Sequence, residues 1–149
     1  MIRIKDIDAD NIFDVCVLTT NHNGIGTTME KYLCCNAVSI AEAKFFSEMY
    51  PNAIYNNNVL IGFFMYKRTE NQPDLAILCR FMIDYRFQNK GFGKKAFEHI
   101  LRGLKIQGVR KVVLMIDDTN KIAKKLYLSF GFQFTGKIEK NEYYYELEL

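Results

Sequence analysis

The fold is decided by the stretch Ile83-Asp-Tyr-Arg-Phe-Gln-Asn-Lys-Gly-Phe-Gly-Lys-Lys-Ala96, in which a strand ends, a loop follows and a helix begins. The N-terminus of a helix carries unpaired N–H groups and partial positive charge, and both attract phosphate. Gly91 and Gly93 lack a Cβ atom, so a pyrophosphate could come close to the backbone. Nearby positive charge comes from three lysines: Lys90, Lys94 and Lys95. The stretch therefore predicts a site for a phosphate-bearing ligand.

The segments on either side of this stretch predict a parallel pair of strands. Leu75–Ile83 is a long apolar strand, and Gly91–Gln107 is helical with one apolar stripe. Lys111–Ile116, which reads K-V-V-L-M-I, is typical of a strand buried on both faces. A strand, a helix and a strand in this order form a right-handed crossover between parallel neighbours.

The rest of the chain reads as shorter elements around this crossover. We expect strands, helices and turns in the following order: a strand over 2–7, a helix over 12–18 capped by Asp8 or Asp10, short helices over 28–35 and 39–49 with Ser39 as a cap and Pro51 as the stop, a hairpin of 53–55 and 59–67, a helix over 119–130 ended by Gly131, and an antiparallel pair of 132–138 and 142–149. The fold class is therefore mixed α/β, with a mostly antiparallel central sheet that contains one parallel junction and is flanked by helices.

Composition favours a single domain that works in the cytoplasm. The chain has 149 residues, of which 49% are hydrophobic, enough for one core over residues 1–149. No stretch reaches the roughly 18 apolar residues of a membrane span, and the N-terminal sequence lacks the pattern of a signal peptide. The four cysteines have no metal-ligand spacing, so no metal site is expected.

Charge is distributed unevenly along the chain. Between Arg86 and Lys111, eight basic residues accompany the single acid Glu98, whereas the last eleven residues hold four glutamates and the single base Lys140. A basic middle beside an acidic end suits an anionic cofactor and a cationic substrate. A net charge of +3 is too small to indicate nucleic-acid binding, and we expect no steep salt-dependent affinity for DNA.

Two other kinds of nucleotide-binding site also use closely spaced glycines, and neither fits this sequence well. Gly91-x-Gly93-x-x-Ala96 fits the dinucleotide fingerprint, but that fingerprint begins directly after its strand, whereas six residues separate Asp84 from Gly91. The chain also lacks the alternating strands and helices of a doubly wound sheet. A P-loop is excluded because G-x-x-x-x-G-K-[ST] is absent.

Two motifs together resemble one known superfamily. The first is Gln88-Asn-Lys-Gly91-Phe-Gly93, and the second is Asn120-Lys-Ile-Ala-Lys-Lys-Leu-Tyr127-Leu-Ser-Phe-Gly131-Phe132. They are similar to the patterns [Q/R]-x-x-G-x-[G/A] and N-x-x-A-x-x-[L/F]-Y-x-x-x-G-F of the GNAT acetyltransferases. This resemblance covers about residues 80 to 132 and implies a GNAT-like fold, acetyl-coenzyme A as co-substrate and an N-acetyltransferase activity.

Further segments narrow the resemblance to the bacterial spermine/spermidine (diamine) acetyltransferase branch. They are 36–43, 53–66, Arg80-Phe-Met-Ile-Asp84, Thr135-Gly136 and Asn141-Glu142. Departures from the pattern concentrate over 21–35. Cys79 also departs from it, since related sequences can carry a polar or acidic residue there, and this puts the substrate contact in doubt. The implied acceptor is a small-molecule amine, most simply a polyamine such as spermine or spermidine, and the alternatives are another small amine or a protein N-terminus.

The resemblance assigns roles to particular residues. The cofactor-binding set is Phe81, Met82, Ile83, Gln88, Asn89, Lys90, Gly91, Phe92, Gly93, Lys94 and Asn120. Tyr127 is the candidate catalytic acid, because a phenol can donate a proton to the leaving thiolate. Tyr127 and Asn120 lie seven residues apart, so they share one helix face, although Tyr127 could be a core residue and Asn120 a helix cap. A backbone N–H of Phe81–Ile83 could polarise the carbonyl if a bulge frees it.

Other assignments stay open at the level of sequence. The base that deprotonates the amine could be Asp74, Asp84, Glu30 or Glu142, with Asp84 equally suited to ordering the loop. A module that binds the cofactor without catalysis is the rival to an enzyme, and Tyr127→Phe would separate the two. A spare tyrosine on the last strand makes a homodimer a further expectation.

Overall fold

The computed structural model describes all residues, Met1–Leu149, as seven strands and four α-helices. In chain order they are β1 (Ile2–Asp6), α1 (Ile12–Val17), α2 (Asn36–Phe45), β2 (Met49–Asn56), β3 (Val59–Thr69), β4 (Gln72–Ile83), α3 (Phe92–Ile106), β5 (Lys111–Asp117), α4 (Lys121–Ser129), β6 (Gln133–Glu139) and β7 (Glu142–Glu148), with a 3₁₀ turn at Tyr85–Phe87. None of the helices is long and apolar enough to cross a membrane.

All seven strands form one sheet in the order β1-β2-β3-β4-β5-β7-β6. Every neighbouring pair is antiparallel except β4 and β5, which are parallel and joined through α3. The predicted mixed sheet with a single parallel junction is therefore confirmed, and so is the closing antiparallel pair. β7 lies between β5 and β6, which leaves β6 as the exposed edge. The homodimer stays a prediction.

Two apolar clusters cover the two faces of the sheet. The larger cluster packs α3 and α4 against the sheet and includes Phe97, Leu114 and Phe132. The smaller one lies under α1 and α2 and includes Val15 and Phe63. Burying such side chains contributes about 1.5–3 kcal/mol each relative to exposure, so the two clusters hold the sheet between its helical layers.

The first part of the chain differs from the sequence prediction at three places. Residues 28–35 form no helix but a turn closed by a bridge between Met29 and Cys34. α1 has Asn11 at its N-cap, and Asp8 instead accepts hydrogen bonds from the N–H groups that precede the helix. The expected cap by Asp8 or Asp10 is therefore wrong, because Asp8 stabilises the turn before the helix and Asp10 donates to it.

The second helix and its stop are also displaced from the prediction. α2 begins at Asn36 and ends at Phe45, so Ser39 lies inside the helix, where it is buried. Asn36 starts the helix because its side-chain amide donates to the Val15 carbonyl at 2.9 Å, which fixes α2 against α1. Pro51 lies within β2 and does not end a helix. Its missing N–H is tolerated because β1 pairs with β2 only from Asn52 onwards.

Candidate active site

The central feature of the sheet is a divergence between its two parallel strands. β4 and β5 pair only over Leu75–Leu78 and Lys111–Leu114. Both strands continue beyond this ladder, to Ile83 and Asp117, without bonding to each other. The two strands therefore open a V-shaped gap at their carboxyl ends, which is where open α/β sheets place ligands.

A cleft of ≈ 890 Å³ occupies this gap. Its walls come from β4, β5, the start of α3 and α4, and its remaining side is formed by the segment between α1 and α2. We call that segment, residues 18–35, the α1–α2 loop, and residues 84–91 the β4–α3 loop. The size suits a drug-sized or cofactor-sized ligand.

The backbone of β4 presents free polar groups to the cleft. The N–H of Asp84 donates to the carbonyl of Ile61 on β3 at 2.8 Å, and Ile83 lies opposite Gly62. Because backbone groups alternate in direction along a strand, the N–H and C=O groups of Phe81 and Ile83 point away from β3, into the gap. From the sequence, such groups are expected only where a bulge frees them from the ladder. β4 does have a bulge, where Cys79 has no partner between Leu78 and Arg80, although the divergence of β5 is what leaves the groups free.

The start of α3 presents a second set of free N–H groups. Its N-cap is Gly91, in the left-handed conformation with φ 81°, and it offers no side-chain cap. The first helical bond runs from the N–H of Lys95 to the carbonyl of Gly91 at 3.3 Å. The N–H groups of Phe92, Gly93 and Lys94 consequently lack intrahelical partners, which makes this helix end an anion site in the predicted position.

Space around these amides is open. A Cβ at Gly91 would meet no atom within 4 Å, and one at Gly93 would meet only Ile83, at 3.9 Å. Asn89 has a positive φ of 61°, which turns the loop sharply before the helix. Gln88 secures the loop from inside, since its side-chain amide donates to the carbonyl of Ile83 at 2.9 Å.

The structure brings most of the predicted cofactor residues to one place. Phe81, Met82, Ile83, Gln88, Asn89, Gly93 and Asn120 line the cleft. The others, Lys90, Gly91, Phe92 and Lys94, lie on the adjoining loop and first helical turn. Met82 differs from its neighbours, because its backbone faces β3 and its side chain belongs to the smaller apolar cluster.

Tyr127 combines the two possible roles that its sequence position left open. It is only 8% exposed and packs on Phe97 with ring centroids 5.0 Å apart, as a core residue does. It also lines the cleft, and its hydroxyl forms no hydrogen bond within the chain. Burial raises the pKa of Tyr127 above its ordinary value, so the phenol keeps its proton throughout the neutral range.

Asn120 is likewise both a cap and a wall residue. Its side-chain oxygen accepts from the N–H of Ala123 at 3.2 Å, which makes it the N-cap of α4. It lines the cleft on the same side as Tyr127, as their spacing of seven residues predicts. Gly131 ends α4 with a φ of 94°, which confirms the predicted stop.

The four carboxylates considered as bases have different surroundings. Asp74 lies at the start of β4, at the opposite end of the strand from the divergence, and does not line the cleft. Asp84 is 1% exposed, and its oxygens accept from Thr19 N–H and from both the N–H and Nε of Arg86, at 3.1, 3.1 and 2.7 Å. Asp84 therefore orders the β4–α3 loop, which is the second role that the sequence allowed for it. Glu142 remains on the cleft wall, at the exposed start of β7.

Glu30 is buried within the α1–α2 loop. Its carboxylate accepts from the hydroxyl of Thr19, from the N–H of Thr20 at 2.8 Å and from the hydroxyl of Thr20 at 2.7 Å. Burial by itself raises the pKa of Glu30, but these hydrogen bonds outweigh it, and the net pKa is lowered. All of its short contacts are inside the loop, so Glu30 is a structural anion here and a poor base.

Several cleft residues have no role assigned from the sequence, and three of them carry polar groups near the end of β5 or in the α1–α2 loop. His22 and Tyr32 lie in the α1–α2 loop, and Asp117 ends β5 directly opposite Glu142 on β7. Tyr32 reaches across the cleft, with its hydroxyl 3.3 Å from that of Thr119. No sequence motif marks these residues, because only the fold brings the α1–α2 loop next to the end of β5.

The middle of β4 carries a charged pair on the side of α2. Arg80 lines the cleft and contacts Glu42 at 3.5 Å, while its Nη1 donates to the carbonyl of Cys79 at 3.0 Å. Cys79 also lines the cleft, and burial raises the pKa of its thiol. The Cys79 thiol therefore keeps its proton at neutral pH and supplies no negative charge to this part of the cleft.

The geometry described above belongs to a known class of protein. Residues 28–132 match the acetyltransferase (GNAT) family, and the chain belongs to that family. It is an acetyl-CoA-dependent N-acetyltransferase with the mixed α/β fold of the family, as the two motifs predicted.

Individual relatives bear different names. The chain is 31% identical over 146 residues to the spermine/spermidine N(1)-acetyltransferase of Bacillus subtilis strain 168, covering 94% of this chain and 93% of that protein. It is 38% identical over 71 residues to the [ribosomal protein bS18]-alanine N-acetyltransferase of Haemophilus ducreyi, covering 47% and 48%. A solved structure with the same fold is the PaiA N-acetyltransferase from Thermoplasma acidophilum in complex with coenzyme A, with a TM-score of 0.69 and 17% identity over 100% of this chain and 99% of that one.

The residues present fit coenzyme A. Its pyrophosphate needs several N–H donors without side chains in the way, and the start of α3 supplies them beside Gly91 and Gly93. Its amide-bearing arm needs strand-like partners, and the N–H groups of Phe81 and Ile83 with the carbonyl of Phe81 supply those, while the carbonyl of Ile83 accepts from Gln88.

Proposed function

We propose that the enzyme acetylates a primary amine by direct transfer, and that its acceptor is a polyamine such as spermine or spermidine. One observation carries the proposal: the divergence of β4 and β5 places the free N–H groups of α3, the free backbone of β4 and the hydroxyl of Tyr127 around a single cleft. Acetyl-CoA supplies an activated acetyl group as a thioester. The residues of this chain must hold it, polarise its carbonyl, accept the proton of the amine and stabilise the thiolate.

Two of these tasks fall to groups with fixed positions. The backbone of β4 at Phe81 and Ile83 can donate a hydrogen bond to the carbonyl oxygen, where negative charge develops when the amine nitrogen attacks. Tyr127 can donate a hydrogen bond to the sulfur as the carbon–sulfur bond breaks. Because its pKa is raised, this hydroxyl stabilises the thiolate mainly as a hydrogen-bond donor. The new carbon–nitrogen bond forms as the carbon–sulfur bond breaks, and coenzyme A leaves as a thiolate that takes its proton from solvent.

The proton of the amine is assigned to Glu142. Of the four carboxylates considered, Asp74 is distant from the cleft, and Asp84 and Glu30 already accept several hydrogen bonds each. Glu142 is exposed on the cleft wall, so it can accept a proton directly or through water. His22, which also lines the cleft, is the competing acceptor.

Two observations favour a polyamine over a protein N-terminus. The relative named for spermine and spermidine matches nearly the whole chain, whereas the one named for a ribosomal protein matches less than half of it. Asp117 and Glu142 also lie opposite each other at the end of β5, where their carboxylates would attract a cationic acceptor. Another small amine and a protein N-terminus are the alternatives.

A panel of acceptors tests the proposal. Release of coenzyme A from acetyl-CoA is followed with spermine, spermidine, putrescine and peptides with a free N-terminal alanine. We expect kcat/KM for spermine or spermidine to exceed that for the peptides by at least about 100-fold, which corresponds to about 2.7 kcal/mol. Equal rates on all acceptors, or a preference for the peptides, would contradict the polyamine assignment.

A further inference from the structure

The two loops that meet at the cleft are joined by a buried chain of hydrogen bonds. We infer that Asp84, Thr19 and Glu30 are positioning residues for the amine, because they make the α1–α2 loop an extension of the loop that holds the cofactor. The inference rests on the proposed function, in which the start of α3 binds acetyl-CoA and the amine enters the cleft that the α1–α2 loop also lines.

The first link joins β4 to the α1–α2 loop. The N–H of Thr19 donates to Oδ2 of Asp84 at 3.1 Å, across 65 residues of sequence. In return, the N–H of Tyr85 donates to the carbonyl of Thr19 at 2.8 Å. Both backbone groups of Thr19 are thus bonded to the β4–α3 loop, so the two loops cannot move apart at this point without breaking two buried hydrogen bonds.

The second link runs from Thr19 to Glu30. The hydroxyl of Thr19 donates to one carboxylate oxygen of Glu30, and Thr20 donates to the other through both its N–H and its hydroxyl. Glu30 therefore closes residues 19–30 into a compact loop. The residues next to Glu30, which are Met29, Lys31, Tyr32 and Leu33, line the cleft.

A direct packing contact supports the same junction. A Cβ on Gly24 would lie 2.7 Å from the hydroxyl oxygen of Tyr85, so the α1–α2 loop lies against the side chain that begins the 3₁₀ turn. Gly24 has a positive φ of 75°, which lets the backbone turn over this ring. The 3₁₀ turn leads within four residues to Gly91 and the free amides of α3.

The burial of this network indicates that it does more than fill space. Six polar or charged residues of the chain are buried, and three of them are Thr19, Glu30 and Asp84. A buried carboxylate is costly unless it is fully hydrogen-bonded, and two such groups separated by a single threonine form a rigid unit. Restraint of the β4–α3 loop by bound coenzyme A therefore extends to the cleft-lining part of the α1–α2 loop.

The network can be weakened in two ways that keep its shape. Thr19→Val removes the hydroxyl but keeps both backbone bonds to the β4–α3 loop. Glu30→Gln keeps the size of the side chain but replaces one accepting oxygen by a donor. The control is Glu98→Gln on α3, where an exposed carboxylate pairs with Arg102 and does not line the cleft.

The kinetic test compares the KM values of the two substrates. For Thr19→Val and Glu30→Gln we expect KM for spermidine to rise about 10-fold, with KM for acetyl-CoA within about 2-fold of wild type and kcat nearly unchanged. Glu98→Gln should change none of them. If both network variants melt at a lower temperature while KM for spermidine is unchanged, the network serves stability alone and the inference is wrong.

A second test needs no acceptor and no variant that must fold. Amide hydrogen exchange of residues 19–30 is measured in the wild-type protein with and without coenzyme A. We expect bound coenzyme A to slow this exchange about 5-fold or more, a factor typical of coupled sites. If coenzyme A binds and leaves exchange over residues 19–30 unchanged, the inference is overturned. If coenzyme A does not bind at all, the proposed function itself fails.

Discussion

The two loops at the cleft are built in opposite ways. The β4–α3 loop depends on local features: a strand that ends, a left-handed glycine at position 91 and a helix whose first amides are free. The α1–α2 loop has no strand or helix over residues 18–35, and distant residues hold it: the carboxylate of Asp84 accepts from the N–H of Thr19, and the hydroxyl of Thr119 lies against that of Tyr32. The first loop is suited to a constant ligand, and the second can change with the acceptor without disturbing the fold.

This contrast explains how one fold can serve many amines. A phosphate group is bound by backbone N–H groups, which exist in every sequence that can form the turn. An acceptor amine is bound by side chains, which differ from protein to protein. Experiments on this enzyme can therefore separate residues that affect every acceptor from residues that affect only some.

The largest effect is expected for Tyr127→Phe, which should slow the reaction with every acceptor. Removing the hydroxyl takes away the hydrogen bond to the leaving thiolate, so kcat should fall about 10²–10³-fold while the affinity for coenzyme A changes little. The measurement is kcat together with a binding titration of coenzyme A.

The matched control for Tyr127 is Tyr66→Phe. Tyr66 is as buried as Tyr127, at 8% exposure, but its hydroxyl faces Gln107 at 3.4 Å and does not line the cleft. The kcat of the Tyr66→Phe variant should stay within about 2-fold of that of wild type. A normal kcat in Tyr127→Phe would show that Tyr127 is a core residue without a part in the chemistry.

The second effect concerns the proton acceptor. If Glu142 accepts the proton of the amine, Glu142→Gln should lower kcat/KM about 100-fold at neutral pH. His22→Gln is the companion variant, because His22 lines the same cleft. A normal kcat/KM in Glu142→Gln together with a large loss in His22→Gln would transfer the role to the histidine. Asp117 is a weaker candidate, since hydrogen bonds from Thr119 lower its pKa.

The same contrast decides what the sequence can predict. The structure around the β4–α3 loop can be predicted from sequence because its signals are close together: the strand, the glycines and the helix follow each other within about 35 residues. α3 begins one residue from its predicted start. The Asn120 and Tyr127 pair is readable because helical geometry fixes residues seven apart. All of these predictions depend on local physics.

The conformation of the α1–α2 loop cannot be predicted from sequence in this way. The sequence predicts a short helix over 28–35, but Glu30 is drawn inward by Thr19 and Thr20, and the backbone turns between Met29 and Cys34. Thr19 is itself bonded to Asp84, which lies 65 residues away in the sequence. Tertiary contacts of this kind override local helix propensity, so the role of Glu30 could not be deduced from the sequence.

A third prediction concerns the acid stability that Glu30 contributes. The folded-state pKa of Glu30 is lowered, so its contribution is fully present above its unfolded value of about 4.3 and is lost as the pH falls through the lower folded-state pKa. Glu30→Gln should lower the free energy of unfolding at pH 7 by about 1.5–3 kcal/mol, the range for hydrogen bonds to a charged group. Its stability should then fall less steeply than that of wild type as the pH drops below about 4.3. Parallel curves for the two proteins in urea titrations would contradict this assignment.

A fourth prediction concerns the strand that supports both loops. A Cβ on Gly62 would lie 2.4 Å from the carbonyl oxygen of Met82, a backbone atom that cannot simply rotate away. Gly62→Ala should therefore cost about 1–3 kcal/mol of stability, as overpacking does. Because Met82 is next to Phe81 and Ile83, the variant should also weaken binding of coenzyme A. A fully stable variant with normal affinity would show that β3 and β4 can separate without affecting the cleft.

The smallest effects come from two glycines of α3 that share open surroundings but differ in backbone conformation. A Cβ would meet nothing within 4 Å at either Gly91 or Gly103, yet Gly91 has a φ of 81° and Gly103 lies in the helix interior. Gly91→Ala should lower the free energy of unfolding by about 1–2 kcal/mol, the cost of a left-handed alanine, whereas Gly103→Ala should raise it by about 0.5–1 kcal/mol. Urea unfolding of both variants measures the two changes. Opposite signs would show that the loop keeps its left-handed turn when no ligand is bound, and equal signs would mean that the turn forms only when coenzyme A binds.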